Sequence, residues 1–466
     1  MKQYFLPLGI GATLLASLAV PALAELTTVI PVYDKTVYYD GYNDSIFDGH
    51  LDDGILRLRN SIYSRKLTDD ILAQVGDSLR LDVVLGARCD NYDRIASFNI
   101  ALVPKGQSSY TYDDVERIEI ARYITPFMNK NVTPDTVPYL YDITGVDHIL
   151  RDAGLREKYD LWLESDIFGI PYAAWEQVKG CDDDGTGKKR QDVFSVTARF
   201  QTNEAKPLTH DNVLVPIYCR KPEFRGEVNF NNHNENACDT LGVTTRTWKF
   251  TVPEDCEDAK IVLINSNHGA NTGGEEYIRR LHLVYYDNDI AMTYIPGGVS
   301  CEPYRKYNTQ SNGIYSSYRP ESFWVLYSNW CPGQAVPTRE IHLGAVKAGE
   351  HSFMIRVPKA VFQDKKGDFR PSIYFQGVKK GKVPFSDVEE ILMAGPDVKI
   401  VVSGHTLTYE CGEELTDVRI YSFDAQLLFG DANPSGSVSL AGYQPGVYLA
   451  VFMTADGRST VRKIML

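Results

Sequence analysis

The stretch SLRLDVVLGARCDNYDRIASFNIALV (residues 78–103) decides the fold class, because it holds two runs of alternating apolar and polar residues around a short polar turn. Alternation with a period of two is typical of half-buried β-strands. Helical spacing is weak and confined to VDHILRDAGL (146–155). Similar strand-like runs recur at YDLWLES (159–165), DVFSVTARF (192–200), KIVLIN (260–265), LHLVYYD (281–287) and HSFMIRV (351–357). The sequence therefore predicts an all-β protein built from sandwiches or jelly rolls.

The length of the chain and its composition divide it into a leader and about three domains. The N-terminus has a lysine at position 2, the apolar run FLPLGIGATLLASLAV and a small-residue ending at Ala24. This is the pattern of a secretory signal peptide, so we predict a signal peptide at 1–24 that is cleaved after Ala24. A chain of 466 residues is too long for one core. The predicted domains are 25–203, 204–384 and 385–466.

Charge and cysteine content exclude several classes of protein. The net charge of −13 and the pI near 5.2 argue against nucleic acid or an anionic membrane as the main partner. No later segment has the roughly 18 consecutive apolar residues that a membrane-spanning helix needs. Eight cysteines without a CxxC motif, in an exported protein, favour disulfides over metal thiolates.

One polar stretch, NHGANTGGEEYIRRLH (267–282), is a candidate site. Adjacent residues of a strand face opposite ways, so only one of Glu275 and Glu276 would point into a given site. Gly273 and Gly274 would let another backbone or a ligand approach closely. A solvated turn before a strand is the alternative interpretation.

Two later segments, SCEPYRKYNTQSNGIY (300–315) and YSNWCPGQAVPTR (327–339), combine amides with aromatic residues. Aromatic rings stack on sugar faces and amides bind hydroxyl groups, so this composition suits sugar recognition. A polar loop closed by a disulfide between Cys301 and Cys331 would explain it equally well.

Four segments together resemble the peptide-N-glycosidase F family, secreted bacterial amidases that release N-linked glycans. The segments are CDNYDR (89–94), EIARYITPF (119–127), HGANTGGEEYIRRLH (268–282) and WCPGQAVPTR (330–339), in the family's order. The resemblance implies two antiparallel eight-stranded jelly rolls side by side, with the glycan bound along their interface. An N-linked glycoprotein or glycopeptide is then the substrate, and hydrolysis of its amide bond requires no metal or other cofactor.

The resemblance also assigns site residues. The family's key aspartate falls on Asp93, its second-domain glutamate on Glu276 rather than Glu275, and its third carboxylate on Glu164. In that chemistry Asp93 would orient and partly deprotonate a water molecule, while Glu276 and Glu164 hold the sugar and the amide. The expected substrate-binding residues are Tyr92, Arg94, His268, Tyr277, Arg280 and Trp330.

Several positions depart from the family's pattern. Gly274 and Ile278 stand where cysteines flank the second-domain glutamate, and a bridge from Cys89 must be long-range, with Cys181 as the candidate partner. The remaining departures are Tyr92 for a tryptophan, Tyr327 for an arginine, and Asp166 for the tryptophan after the third carboxylate.

The C-terminal segment has a character of its own. The order DVRIYSFDAQLL, LAGYQPGVYLAVF and terminal VRKIML (417–466) resembles the C-terminal sorting domain that carries Bacteroidetes proteins through the type IX secretion system. This resemblance implies a small β-sandwich, export across the outer membrane, and a secreted or cell-surface location. A plain accessory sandwich is the alternative.

Three other functions are weighed against the amidase. A glycan-binding protein would use the same interface without catalysis. A copper monooxygenase needs clustered histidines, but the nine histidines include no HxH and no HH. A glycosidase also uses paired carboxylates, but it would cut between sugars and leave one of them on the asparagine.

Overall fold

The computed structural model describes the following residues: 26–45, 49, 51–208, 210–222, 243–270, 273–310, 313–315, 317–327, 329–361, 367–379, 396–422, 427–455 and 459–466. The predicted signal peptide and the predicted boundary near 384 lie outside them. All pairings between described strands are antiparallel, as the alternating runs predict. The all-β prediction is confirmed. The boundary near 203 stays a prediction, although it coincides with the end of a strand.

Nine strands of the first 203 residues form two sheets around one core. They are β1 (Thr28–Tyr39), β2 (Ile55–Arg59), β3 (Ile62–Lys66), β4 (Leu79–Ala87), β5 (Ile95–Pro104), β6 (Glu116–Ile124), β7 (Thr136–Asp142), β8 (Tyr159–Ile167) and β9 (Asp192–Thr202). One sheet has the order β1-β9-β4-β7 and the other β6-β5-β8-β3-β2. Leu81, Phe98 and Phe200 are fully buried between them. The resemblance implies eight strands, whereas the described residues of this sandwich form nine.

Eleven further described strands follow: eight form a second pair of sheets, two form a small sheet beside them, and β16 joins the sheet of the first sandwich. The strands are β10 (Asn212–Tyr218), β11 (Val243–Val252), β12 (Cys256–Ile264), β13 (Asn267–His268), β14 (His282–Tyr286), β15 (Asp289–Tyr294), β16 (Ala335–Val336), β17 (Thr338–Val346), β18 (Gly349–Pro358), β19 (Asp368–Phe369) and β20 (Ser372–Lys379). The orders are β10-β20-β12-β17 and β11-β18-β14-β15, while β13 pairs with β19. Phe353 and Phe375 lie at 0% exposure in the shared core.

The C-terminal segment forms the predicted small sandwich. Its strands are β21 (Val398–Ser403), β22 (Thr406–Cys411), β23 (Leu415–Ser422), β24 (Leu427–Asp431), β25 (Ser437–Ser439), β26 (Val447–Thr454) and β27 (Ser459–Met465). It packs on the second sandwich through an apolar cluster in which Leu283 of β14 meets Tyr421, Leu449 and Val451.

Helices are few and short, and they connect strands. They are α1 (Asp69–Leu72), α2 (Thr144–Arg151), α3 (Ala153–Lys158), α4 (Tyr172–Gln177) and α5 (Glu321–Tyr327), with 3-10 turns at Tyr112–Asp114, Glu302–Tyr307 and Gly313–Tyr315. The helices α2 and α3 occupy the one stretch with helical spacing. None of the described helices is long and apolar enough to span a bilayer.

The disulfides follow the sequence interpretation only in part. Cys89 pairs with Cys181 across 92 residues, and Cys301 pairs with Cys331. Among the described residues, however, three cysteines remain as thiols, contrary to the expectation from an even count. They are Cys219, Cys256 and Cys411. They lie after β10, at the start of β12 and at the end of β22, which are positions on strands that do not pair with one another.

The first two sandwiches meet through a buried ion pair on β6. The guanidinium of Arg122 donates to both carboxylate oxygens of Glu119 at 2.7 and 2.6 Å, and both side chains have 0% exposure. Across the interface Arg122 Nη1 donates to Ser266 Oγ at 2.9 Å and to the carbonyl oxygen of Arg370 at 2.5 Å. Ser372 donates to Glu119. A short strand of the second half, β16, also pairs with β6 and extends the sheet of the first sandwich.

Replacing Glu119 by Gln should destabilise the protein strongly, because it leaves the buried charge of Arg122 uncompensated. Breaking a buried pair in this way costs about 3–5 kcal/mol. The measurement is the free energy of unfolding in urea. Lys249→Ala is the control, since its pair with Glu350 is exposed on both sides. Similar losses in the two variants would contradict the assigned role of the buried pair.

Candidate active site

A cavity of about 510 Å³ opens between the first two sandwiches. Both halves of the chain contribute to its wall. The lining residues are Tyr92, Asp93, Arg94, Ile95, Ile124, Phe127, Asp166, Phe168, Arg220, His268, Ala270, Glu276, Tyr277, Trp330 and Arg370. Seven of the nine residues predicted for the site, all except Glu164 and Arg280, are therefore brought to one place.

Asp93 lies in the loop between β4 and β5, and several hydrogen bonds hold this loop in place. The carboxylate of Asp90 accepts hydrogen bonds from the backbone N–H of Tyr92 at 2.9 Å and from Arg94 Nε at 2.8 Å. Thr125 Oγ1 accepts from the N–H of Arg94 and donates to the carbonyl oxygen of Tyr92. With the disulfide at Cys89, these bonds present Asp93 on a rigid loop.

Glu276 lies in a turn, and this is a correction to the strand on which the sequence argument relied. The two adjacent glutamates nevertheless separate as predicted. Glu276 lines the cavity, whereas Glu275 has 0% exposure and accepts hydrogen bonds from Arg280 at 2.6 and 2.9 Å. Asn329 Nδ2 donates to the carbonyl oxygens of both glutamates and holds the turn. Gly273 takes φ +74, a conformation that its lack of a Cβ allows.

Arg280 is therefore not placed where the resemblance puts it. Its guanidinium is engaged with Glu275 and it is absent from the cavity wall. Arg280 instead supports the turn that carries Glu276, because it holds the neighbouring Glu275 in place. The Glu275 carboxylate also accepts a hydrogen bond from the backbone N–H of Val361 at 2.9 Å.

The carboxyl groups of Asp93 and Glu276 both have raised pKa values. Burial raises the pKa of Asp93 to about 6, against the opposing effect of the Arg94 charge. Burial, followed by the nearby charge of Asp93, raises the pKa of Glu276 to about 7. Because the pKa of Glu276 lies above that of Asp93, the two groups suit a pair with one ionised and one protonated member near neutral pH.

A third carboxylate in the wall is Asp166 rather than Glu164. Both belong to β8 and lie on the same face of the strand, two residues apart. Glu164 is fully buried, with Arg117 Nε at 2.9 Å, Tyr110 Oη at 2.9 Å and Asn99 Nδ2 at 3.4 Å from its carboxylate oxygens. Asp166 lies two positions nearer the end of the strand and reaches the cavity. Its pKa is raised to about 6 by burial, opposed by Arg220.

Aromatic residues complete the wall. Trp330 donates from Nε1 to the carbonyl oxygen of Asn267 at 2.9 Å, and its ring lies 5.3 Å from that of His268. Tyr92 meets Phe127 edge to face at 5.8 Å. Burial lowers the pKa of His268 well below its usual value, so its ring is neutral. Its Nε2 forms a hydrogen bond with Ser266 Oγ.

The sequence interpretation missed three charged lining residues: Asp166, Arg220 and Arg370. Asp166 had a signal, since it stands where the resemblance expects an aromatic residue beside the third carboxylate. The two arginines had none, because the folding of β10 and β20 brings them to the first sandwich. Within the described part of the chain, no group of three or more histidine, cysteine, aspartate or glutamate residues is arranged to hold a metal ion.

Two family models match the chain. One is described as peptide-N-glycosidase F, N terminal, over residues 29–180, and the other as peptide-N-glycosidase F, C terminal, over residues 236–376. No match was found among curated proteins.

Among solved structures, PNGF-II is similar in two crystal forms, with TM-scores of 0.53 and 0.52 at 17% identity. These alignments cover 75% and 76% of this chain, which spans only 65% of PNGF-II. Recombinant peptide: N-glycanase F gives a TM-score of 0.47 at 16% identity, with 76% of this chain and 95% of that one covered. At such identities the PNGF-II match shows the fold alone. The two family models match the two halves of the molecule in order and together span more than half of its residues, so the chain belongs to the peptide-N-glycosidase F family.

Proposed function

We propose that this protein is a peptide-N-glycosidase: it hydrolyses the amide between an asparagine side chain and the first N-acetylglucosamine of an N-linked glycan. The products are the intact glycan as a glycosylamine and an aspartate in the peptide. The observation that carries the proposal is the convergence of Asp93 from one sandwich and Glu276 from the other on a single cavity. Membership of the family supports the same reaction.

The two carboxyl groups have distinct roles in the proposed mechanism. Asp93, ionised and held on its fastened loop, accepts a proton from the water that attacks the amide carbon. Glu276, with the higher pKa, is protonated over part of the neutral range and donates to the departing nitrogen. The rigid supports of both residues supply the orientation that such proton transfers require.

The aromatic part of the wall suits the sugar. Rings of Tyr92, Phe127 and Trp330 offer apolar faces to a pyranose, and the neutral ring of His268 can hydrogen-bond a hydroxyl group. The residue after Glu276, Tyr277, is 41% exposed at the cavity mouth and is available to stack on a further sugar.

Asp93→Asn should lower kcat by roughly 10²–10⁴-fold, the usual contribution of a general base. Binding of chitobiose should change little, because the amide keeps the shape of the carboxyl group. The measurement is the rate of glycan release from a denatured N-glycoprotein, read by mass spectrometry. A variant that retains wild-type activity would remove Asp93 from the mechanism.

The adjacent glutamates offer a matched pair of variants. Glu276→Gln should lower kcat by roughly 10²-fold or more with little change in melting temperature, since the residue acts on the substrate. Glu275→Gln should instead lower the melting temperature, because Glu275 is buried against Arg280. Each variant is assayed for both quantities. The assignment fails if Glu275→Gln, while still folded, is the less active of the two.

The pH dependence of kcat/KM should be bell-shaped with a narrow optimum between about pH 6 and pH 7. Activity falls below about pH 6 because Asp93 becomes protonated, and above about pH 7 because Glu276 loses its proton. The residual activity of Glu276→Gln should lose the alkaline limb. An alkaline limb that persists in that variant would assign it to another group.

Two other outcomes of the release assay distinguish the remaining functions. An untouched glycoprotein that still binds the protein would indicate a non-catalytic glycan-binding member of the family. One N-acetylglucosamine left on the asparagine would indicate a glycosidase.

We also propose that the protein is secreted or displayed at the cell surface. The leader at 1–24 and the C-terminal resemblance to a sorting domain support export, with the type IX secretion machinery as a partner. The C-terminal sandwich is folded and packed on the second sandwich, which is compatible with a separately recognised export module.

A further inference from the structure

The pair formed by Arg220 and Asp166 lies in the cavity wall and has no part in the mechanism above. We propose that Arg220, oriented by Asp166, is a further catalytic residue that stabilises the oxyanion formed on the scissile amide. The inference rests on the proposed amidase function and adds a group to the same site.

Arg220 reaches from the second sandwich into the first. Its backbone N–H donates to Ser372 Oγ at 3.0 Å, just after β10 ends. Its Nη2 donates to Ser97 Oγ on β5 and to Asp166 Oδ2 on β8, both at 2.7 Å. The Arg220 and Asp166 side chains are each 4% exposed. These contacts fix the guanidinium before a substrate arrives.

The cavity wall contains two other arginines, and each differs from Arg220 in one respect. Arg94 is paired with Asp90 and Arg370 with Asp368, but neither of these aspartates lines the cavity. In the Arg220 pair both members line it. Moreover, within the described part of the chain the guanidinium makes its hydrogen bonds through Nη2, while its buried Nε has no hydrogen-bond partner, so the group retains donor capacity beyond its contacts with protein.

The proposed reaction requires such a donor. The water oxygen forms a bond to the amide carbon as Asp93 accepts its proton, and the π electrons of the carbonyl group move onto the carbonyl oxygen. Collapse of this tetrahedral intermediate re-forms the carbonyl and breaks the carbon–nitrogen bond, while Glu276 gives a proton to the departing amine. A fixed guanidinium stabilises the negative oxygen throughout, because arginine stays charged and its donors are already in position.

The neighbouring Arg117 and Glu164 pair supplies a matched control. It is also a buried arginine–carboxylate contact that involves β8, at 2.9 Å, with side chains 8% and 0% exposed. It does not line the cavity. A purely structural role for Arg220 and Asp166 would therefore give variants that resemble those of the control pair.

The experiment uses the full-length protein and a glycopeptide that carries one N-linked glycan. The variants are Arg220→Gln, Arg220→Lys and Asp166→Asn, with Arg117→Gln as the control. The quantities measured are kcat, KM, melting temperature and binding of chitobiose. Arg220→Gln should lower kcat by about 10²–10³-fold, the cost of losing one oxyanion donor, with little change in chitobiose binding.

Arg220→Lys should recover part of the lost kcat because it restores a charge, and Asp166→Asn should show a smaller loss. The control variant Arg117→Gln should lower the melting temperature but leave the kcat of the folded protein within a factor of about three. Equal losses of kcat in Arg220→Gln and Arg117→Gln, or a change in KM alone, would overturn the inference. A wild-type protein that releases no glycan would overturn the proposed function and the inference with it.

Discussion

The buried ion pair of Arg122 and Glu119 is the interaction on which the arrangement of the molecule depends. Both charges lie on the first sandwich, but their remaining hydrogen-bond partners, Ser266, Arg370 and Ser372, belong to the second. Because buried charges must be fully hydrogen-bonded, the two sandwiches are constrained to one relative position. The candidate site needs this constraint, since Asp93 and Glu276 come from different sandwiches.

Arginine–carboxylate pairs near this interface differ in whether they are buried within protein or line the cavity. Of the pairs that are buried away from the cavity, Arg122 with Glu119 binds across to the second sandwich, and Arg117 with Glu164 joins β6 and β8 within one sheet. Arg220 with Asp166 uses the same kind of contact but borders the cavity. The difference lies in position on the sheet: two residues along β8 move a carboxylate from the sealed region to the wall. Scaffold and candidate active site are thus built from one type of interaction.

The sequence predicted much of this, and the missing parts have a physical cause. Alternation in segments such as 78–103 indicated the strands, because burial of one face imposes a period of two. The resemblance to the family proposed Asp93 and Glu276 as site residues, and both line the cavity. Strand alternation could not distinguish Glu164 from Asp166, because both lie on the same face of β8. Their positions along the strand determine that Asp166, and not Glu164, lines the cavity. Arg220 was not predictable, because its partners are more than 50 residues away in sequence.

In the proposed reaction, the carboxyl groups at this interface cleave an amide rather than a glycosidic bond. The most direct measurement is hydrolysis of a glycopeptide in water labelled with heavy oxygen, followed by mass spectrometry of both products. We expect one labelled oxygen in the side chain of the new aspartate and a whole glycan released as its glycosylamine. Label found in the sugar, with an N-acetylglucosamine still attached to asparagine, would contradict it.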